Sequence, residues 1–568
     1  MYLFYLTMKT FNGVIAIGIL LYSIIISILC PILKKKQKYA VMRILCVLPA
    51  IGAFVHFAVY GTITYWAFKY LYIETLLPLI NLLPGKSGKL TAAKSVVASV
   101  LTFTVCINFL INSISSPMVH NYTRYSYTES FRKMLNTMEQ EYVLNAWKHI
   151  DYDALLKEYL PRVEEAEKNN DELAYATIIN EVTYRFYDSH VYSHLSPELN
   201  EAARENLAGN DYGLSMIKLD DGSVIAIFVE PDSESYKLGI HDGTTILSWN
   251  GQDINEAIEN IECIYQTIQF PVESNEDVFR PVFLAGKGGD SVEITFVNDD
   301  GDKQSINVQK IGNYDNRFTM AYVKLLHYDM EWRNFYSCML DDKCGYLQII
   351  SECYDTVSDD ISALRNGYYP KLTEYYASLI QDLKEQGMEY LVVDIRNNGG
   401  GYDSVAGALA SLFTDEKTHM VSFGYEDKEG YHIAESQYIF PDGRYKDIPV
   451  VVLVNAQCVS AGDGMAKFLG DCPNVTLMGI TASGGVNQNN GGYIYLTDNI
   501  CVAYPVFLSL SSDSEPLIDT DHTRKNRIPL DVTIPMTKES ALKIFSFEEE
   551  IDYELEYAME YLEKEMIE

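Results

Sequence analysis

At 568 residues the chain exceeds what one hydrophobic core sustains, so several domains are expected. Its formal charge of −34 is unevenly spread: residues 1–113 hold ten Lys/Arg against one acid, Glu74, and the remainder holds 34 basic against 77 acidic residues, a net −43. So acidic a body excludes nucleic acid as a partner, since that needs a basic footprint, and argues against adhesion of the soluble part to anionic lipid.

The N-terminal region, 1–115, reads as membrane-embedded. Residues 11–33 and 92–114 are each long enough to cross a hydrocarbon core of about 30 Å at about 1.5 Å per residue. No small-residue cleavage site follows the first run, which makes it a retained span and not a signal peptide. Residues 44–84 supply either one span and a loop or two spans joined near Thr62, giving three or four in all. With four, the basic clusters 34–43 and 86–94 share a side, only Lys9 and Lys69 lie opposite, and the positive-inside bias puts the rest of the chain outside the cytoplasm. With three, the clusters fall on opposite sides and the bias gives no answer; Lys69, Glu74 and Pro78 inside the third candidate span count against four. Either way these helices are the contact with membrane lipid. Of ten cysteines, Cys30, Cys46 and Cys106 lie in this region, and the other seven are an odd number without regular spacing, so at least one thiol is free.

Residues 116–208 carry helical periods, broken at Asp151 and at 169–171. The last helix sets Leu173, Ala176, Ile179, Val182 and Phe186 on one apolar stripe, which is core. Strand character takes over in 209–314: 213–219 and 224–229 are joined through Asp220-Asp221-Gly222, and 292–297 runs into a second turn at 298–301. From 315 to 568 strands alternate with helices, the signature of parallel βαβ units and an α/β domain. Residues 344–350 read as a strand, 369–386 as a helix with Leu372, Tyr376, Leu379 and Leu383 on one face and Gly387 as its stop, and 390–395, 450–454 and 475–478 as buried strands.

Two segments carry chemistry. Residues 390–401, Tyr-Leu-Val-Val-Asp-Ile-Arg-Asn-Asn-Gly-Gly-Gly, are a buried strand entering a turn that only glycine builds, so a backbone N–H is being aimed at something. Residues 455–464, Asn-Ala-Gln-Cys-Val-Ser-Ala-Gly-Asp-Gly, follow the run 450–454 and put Ser460 where a helical pattern starts. A serine there is either an ordinary N-cap or an exposed nucleophile at the positive end of the helix dipole. Over roughly the last four hundred residues these segments resemble the serine-peptidase family that contains the C-terminal-processing proteases and the tricorn core protease. The resemblance implies a ββα-superhelix catalytic domain (crotonase/Clp-like), Ser460 as nucleophile, the N–H groups of Gly400 and Ala461 as oxyanion hole, and neither metal nor organic cofactor. Residues 235–251 resemble part of a PDZ domain of the kind found in processing proteases, in which a polypeptide end adds as a strand beside 213–219. An insertion of roughly thirty residues between Glu259 and Gly289 departs from a compact PDZ core.

The family implies one of two bases. Processing proteases use a lysine in Thr-x-Gly-Lys-Gly, but in the matching segment 478–486, Met-Gly-Ile-Thr-Ala-Ser-Gly-Gly-Val, Gly484 stands in the lysine's place. The tricorn branch uses an upstream histidine preceded by serine, and Tyr-Asp-Ser-His-Val at 187–191 nominates His190 as general base with Ser189 as a supporting relay. The glutamate that this branch places before a stretch like 527–532 is absent; Asp521 and Asp519 are the nearest acids, and both also read as loop surface charges. His190 and His194 are spaced like a helical zinc pair, but Val191 occupies the glutamate position and no third ligand is evident. Cys458 precedes the helix start and reads as a buried thiol. The expectation is a membrane-anchored serine peptidase that cleaves polypeptides, C-terminal segments among them, through an acyl-enzyme. The alternative, which the missing late glutamate favours, is a catalytically silent relative that binds polypeptide ends as a sensor or scaffold.

Overall fold

The computed structural model describes residues 38–60, 118–264, 269–328, 330–353, 369–546 and 552–565, with isolated positions between 22 and 36. The chain divides into two units, 1–117 and 118–568. In the first, a helix runs Tyr39–Tyr60. The candidate spans 11–33 and 92–114 lie outside the described residues, isolated positions apart. Among the described residues no helix is long and apolar enough to cross a membrane.

The second unit opens with helices α1 (Tyr127–Glu141), α2 (Tyr152–Asn169) and α3 (Glu172–Tyr184). Asp151 and Asp171, the breaks in the sequence pattern, cap α2 and α3 by accepting from the N–H of Ala154 and Ala174. Ala176, Ile179, Val182 and Phe186 are buried in the bundle core, with Leu173 half-buried at its edge.

A β unit follows: β1 (Ser215–Lys218), β2 (Val224–Ile227), β3 (Thr245–Trp249), helix α4 (Glu273–Leu284), β4 (Ser291–Val297) and β5 (Lys303–Gln309), with the five strands antiparallel in that order. Helix α4 lies within the insertion noted in the sequence. Its Phe279, Val282 and Phe283 share one buried cluster with Leu214, Met216 and Ile217, so the apolar residues of edge strand β1 are already covered.

The catalytic sheet consists of β6 (Tyr336–Met339), β7 (Cys344–Gln348), β8 (Tyr390–Asp394), β11 (Val450–Leu453), β12 (Val475–Gly479) and β15 (Val532–Thr533), in that spatial order. Only β6 is antiparallel. The alternation of β8 separates two cores: Tyr390 and Val392 face the side covered by the C-terminal helix with its Ala558 and Leu562, whereas Leu391 and Val393 face helices α5 (Pro370–Glu385), α6 (Asp403–Ala410) and α7 (Ala461–Gly470). Burial on both faces explains why these strands read as unbroken apolar runs. Because β8, β11 and β12 are parallel and in register, residues 395–401, 454–460 and 480–486 all emerge at one edge, the place where open α/β sheets bind ligands.

A second sheet contains the hairpin β9 (Thr418–Asp427) and β10 (Gly430–Ile439), with β13 (Asn489–Tyr495), β14 (Ile500–Leu510) and strand Met118–Asn121. Strand Tyr192–Leu195 pairs with β14, Tyr192 opposite Ala503, which fixes the chain just beyond His190.

The last helix, α8 (Tyr553–Glu565), is tied to the catalytic sheet by Arg396, which is fully buried. Its guanidinium reaches Asp394 at 2.6 Å, Asp552 at 2.6 Å and Glu554 at 3.0 Å. Arg396→Met would strand three carboxylates without their shared cation, and we expect a loss of at least about 3 kcal/mol in chemical denaturation; a change under about 1 kcal/mol would show the network to be dispensable.

Candidate active site

Ser460 follows β11 with φ 60° and ψ −127°, a backbone conformation that a β-carbon disfavours. Its N–H donates to Val486 O at 2.7 Å, and its carbonyl accepts from Gly464 in the first turn of α7. The side chain caps nothing, and among the described residues Oγ makes no hydrogen bond. The N-cap reading of Ser460 is therefore overturned: the hydroxyl is half-buried and unengaged at the N-terminus of α7, next to the first N–H of that helix, that of Ala461.

The glycine turn lies directly against it. A Cβ on Gly400, whose φ is +90°, would come within 2.6 Å of Ser460 Cβ and 3.0 Å of the Ala461 nitrogen. The approach requires glycine, and in this structure the Gly400 N–H donates to Asn398 Oδ1 at 2.9 Å. Asn398 in turn donates to Ile349 O at 3.0 Å and Glu352 Oε1 at 2.8 Å, and its carbonyl accepts from Val459. Asn455 joins the two strand ends, accepting from Asn397 N and donating to Asn397 Oδ1.

His190 is buried, with Nδ1 3.5 Å from Asp188 Oδ1, and its backbone N–H donates to the same oxygen at 2.8 Å. Burial pulls the imidazole pKa down, but Asp188 beside it and the charges of Asp519 and Asp463 outweigh that, and the net shift is upward. Asp188 itself is lowered: burial pushes it up, and His190 and Lys148 more than reverse this. Ser189 makes no hydrogen bond to His190 among the described residues, so the relay expected of it is replaced by Asp188, two residues before the histidine. The signal was in the sequence, an acid within one turn of the base, although only the folded loop aims it.

The two late acids part company. Asp521 is a loop charge that caps Thr523. Asp519 is completely buried, accepting from Asn487 N at 3.2 Å and Gln488 Nε2 at 2.8 Å, with Oδ1 left without a partner; this corrects its reading as a surface charge. Burial, then the charge of Asp188, raise its pKa against the opposing pull of Lys148. Lys148, also buried, donates to Tyr187 O at 2.9 Å and Thr520 Oγ1 at 3.2 Å. Asp463, in the first turn of α7, accepts from the N–H groups of Gly485 and Val486, and burial raises it to about 7. Lys148 and Asp463 carry no such local signal; tertiary packing brings them to the Asp188–His190 pair.

At Gly484 the packing leaves no room for a side chain: a Cβ would lie 2.6 Å from Val459 Cγ1 and 2.9 Å from Cys458 O. Cys458 is buried and donates its thiol to Ile395 O at 2.8 Å, and burial raises its pKa. His194 lies exposed on the strand that pairs with β14, not on a helix with His190. Among the described residues no cluster of three His, Cys, Asp or Glu is arranged to hold a metal.

Residues 343–525 match the model of peptidase family S41. The chain is 23% identical over 327 residues to the carboxy-terminal processing protease CtpA of Bacillus subtilis (strain 168), covering 57% of this chain and 57% of that protein. The chain thus spans little more than half the length of that relative. Among solved structures, mature CPAF aligns with 77% of this chain and 96% of its own at 14% identity and TM-score 0.47. The tricorn protease aligns with 78% of this chain and 37% of its own at 15% identity and TM-score 0.32.

Glu352, beneath the glycine turn, is fully buried, and its Oε2 has no partner. Burial raises its carboxyl from 4.5 to about 8, with Asn398 opposing and Asp403 adding. A group that binds its proton more tightly when folded costs nothing below its unfolded pKa and progressively more as pH rises towards the folded one. Glu352→Gln should therefore match the parent near pH 4.5 and exceed it in Tm by a margin that widens up to about pH 8. A margin that is flat with pH would show that Glu352 is ionised throughout.

Proposed function

We propose that this peptidase hydrolyses polypeptides through an acyl-enzyme on Ser460. His190 takes the hydroxyl proton and later delivers it to the leaving amine, while Asp188 and Asp519 stabilise the imidazolium between the two steps. The observation that carries the proposal is the backbone of Ser460 at φ 60° and ψ −127°, which presents an unengaged hydroxyl beside the Ala461 N–H. In this reading Ala461 supplies one oxyanion donor, and the Gly400 N–H becomes the second once a substrate carbonyl displaces Asn398 Oδ1. Ser460 and His190 are not hydrogen-bonded to each other, as is common before substrate closes a site. The crowded Gly484 supports a histidine base over a lysine at that position.

A fluorophosphonate probe should label Ser460 in the purified protein, and Ser460→Ala and His190→Ala should lose hydrolysis to a similar extent, since members of one catalytic unit are not additive. No labelling of a folded protein would turn the reading towards the silent, peptide-binding relative.

The substrate class we propose is polypeptide, C-terminal segments included; the relative from Bacillus subtilis is described as a carboxy-terminal processing protease. A PDZ-like role for the β unit would have a polypeptide end add as a strand beside β1, whose apolar side chains already pack against α4. We also propose that the N-terminal unit anchors the protein in a membrane with the peptidase outside the cytoplasm, on the charge clusters at 34–43 and 86–94. Protease added to intact cells should then digest the part beyond residue 116; digestion only after lysis would put it inside.

A further inference from the structure

The insertion between Glu259 and Gly289 looks like an ornament of the β unit, but its N-terminal part leaves that unit and touches each of the segments that bring His190, Asp463 and Asp519 together. Gln269, 4% exposed, brackets the base: Nε2 donates to Val191 O and to Thr183 O at 3.3 Å, while Oε1 accepts the Asp188 N–H at 3.3 Å. Asn275, 2% exposed, grips the chain opposite Ser460: Nδ2 donates to Ala482 O and Ser483 O, both at 2.9 Å, and Oδ1 accepts from Ala482 N at 3.0 Å. Glu276, 1% exposed, pairs with Arg524 at 2.6 Å and accepts from the Tyr184 hydroxyl. Arg524 also donates to the carbonyls of Phe270 and Pro271 and lies 3.9 Å from the centre of the Tyr187 ring.

Three polar side chains within eight residues are thus buried, and each bonds to a different catalytic segment. The histidine loop leaves the helical bundle, residues 480–486 leave the catalytic sheet, and residues 519–524 follow β14, so no single element holds all three. We propose that Gln269, Asn275 and Glu276 are positioning residues that set the register of these segments, and hence the placement of His190 relative to Ser460. The proposal rests on the reading of those two residues given above. A misplacement of about 1 Å in such an arrangement costs on the order of a hundredfold in rate, and satisfied buried amides resist it more specifically than apolar packing does.

His190 faces Asp188 from its own segment, Asp519 from the loop after β14 and Asp463 from α7; behind them lie Lys148, near Asp188 and Asp519, and Arg524, near Lys148. Loosening Gln269 should weaken the Asp188 contact first, since it is the Asp188 N–H that Gln269 holds.

The test uses the full chain with Gln269→Met, close in shape but without the amide, and Asn275→Asp, which keeps the acceptor and loses both donors. Asn307→Ala, on the exposed face of β5, serves as control. On a short chromogenic peptide, well below each variant's Tm, kcat should fall on the order of tenfold or more with KM within about threefold. The His190 titration midpoint, followed by NMR of labelled histidine, should move down in Gln269→Met. Unchanged kcat in folded Asn275→Asp, or an unchanged midpoint in folded Gln269→Met, overturns the proposal. If either variant fails to fold, Glu276→Gln, which keeps the shape and removes the charge facing Arg524, is judged on kcat in the same way. If the parent protein takes no fluorophosphonate, the assignment of Ser460 fails, and the His190 midpoint alone decides whether the insertion positions that side chain.

Discussion

The left-handed backbone at Ser460 dictates much of the chain around it. A non-glycine residue held there costs about 1–3 kcal/mol and stays only where its neighbours leave no alternative. Here the neighbours are the Val486 carbonyl on its N–H, the first turn of α7 on its carbonyl, and Gly400 pressed against its Cβ. Each of these needs support of its own. Val486 is kept in place by Asp463, one turn beyond Ser460, so the helix that the serine begins also holds the strand that fixes the serine. Gly400 is kept in place by Asn398, which Glu352 anchors from the neighbouring strand end.

The same region concentrates charge where water is excluded. Asp188, His190, Asp463, Asp519 and Lys148 are all buried, and burial raises the acids except where a cation answers it. Asp188 has His190 and Lys148 and stays low; Asp519 has Lys148 but feels Asp188, and rises. The surroundings thus push two neighbouring carboxyl groups in opposite directions. Just beyond β8, Arg396 with three carboxylates follows the opposite logic: burial would raise Asp552 and Glu554, but the nearby cations, Arg396 and His327, more than reverse it and both are lowered.

What could be read in the sequence was whatever a strand or helix period carries. The apolar runs at 390–395 and 450–454 became β8 and β11, and the strand-to-helix turn at Ser460 showed itself through glycine and small residues. The turn at Gly400 was visible as a run of glycines, but the capping of the Gly400 N–H by Asn398 was not, because it depends on a side-chain rotamer. Asp519 could not be told from Asp521 by spacing alone; burial two residues apart is decided by how the loop after β14 descends between Trp147 and Gln488. The insertion at 260–288 offered no sequence signal of its role, since Gln269, Asn275 and Glu276 are ordinary polar residues until their partners, more than 200 positions away in the chain for Asn275 and Glu276, are known.

The packing at Gly484 has a consequence for how such a site changes over time. Cys458 O and Val459 Cγ1 close on that position, and the Gly484 N–H is tied to Cys458 O at 2.7 Å, so the loop follows the chain leading to the serine. A lysine introduced there by substitution alone would push apart the segment that leads to Ser460. A long side chain at this position therefore calls for a coordinated change in backbone path, not one substitution.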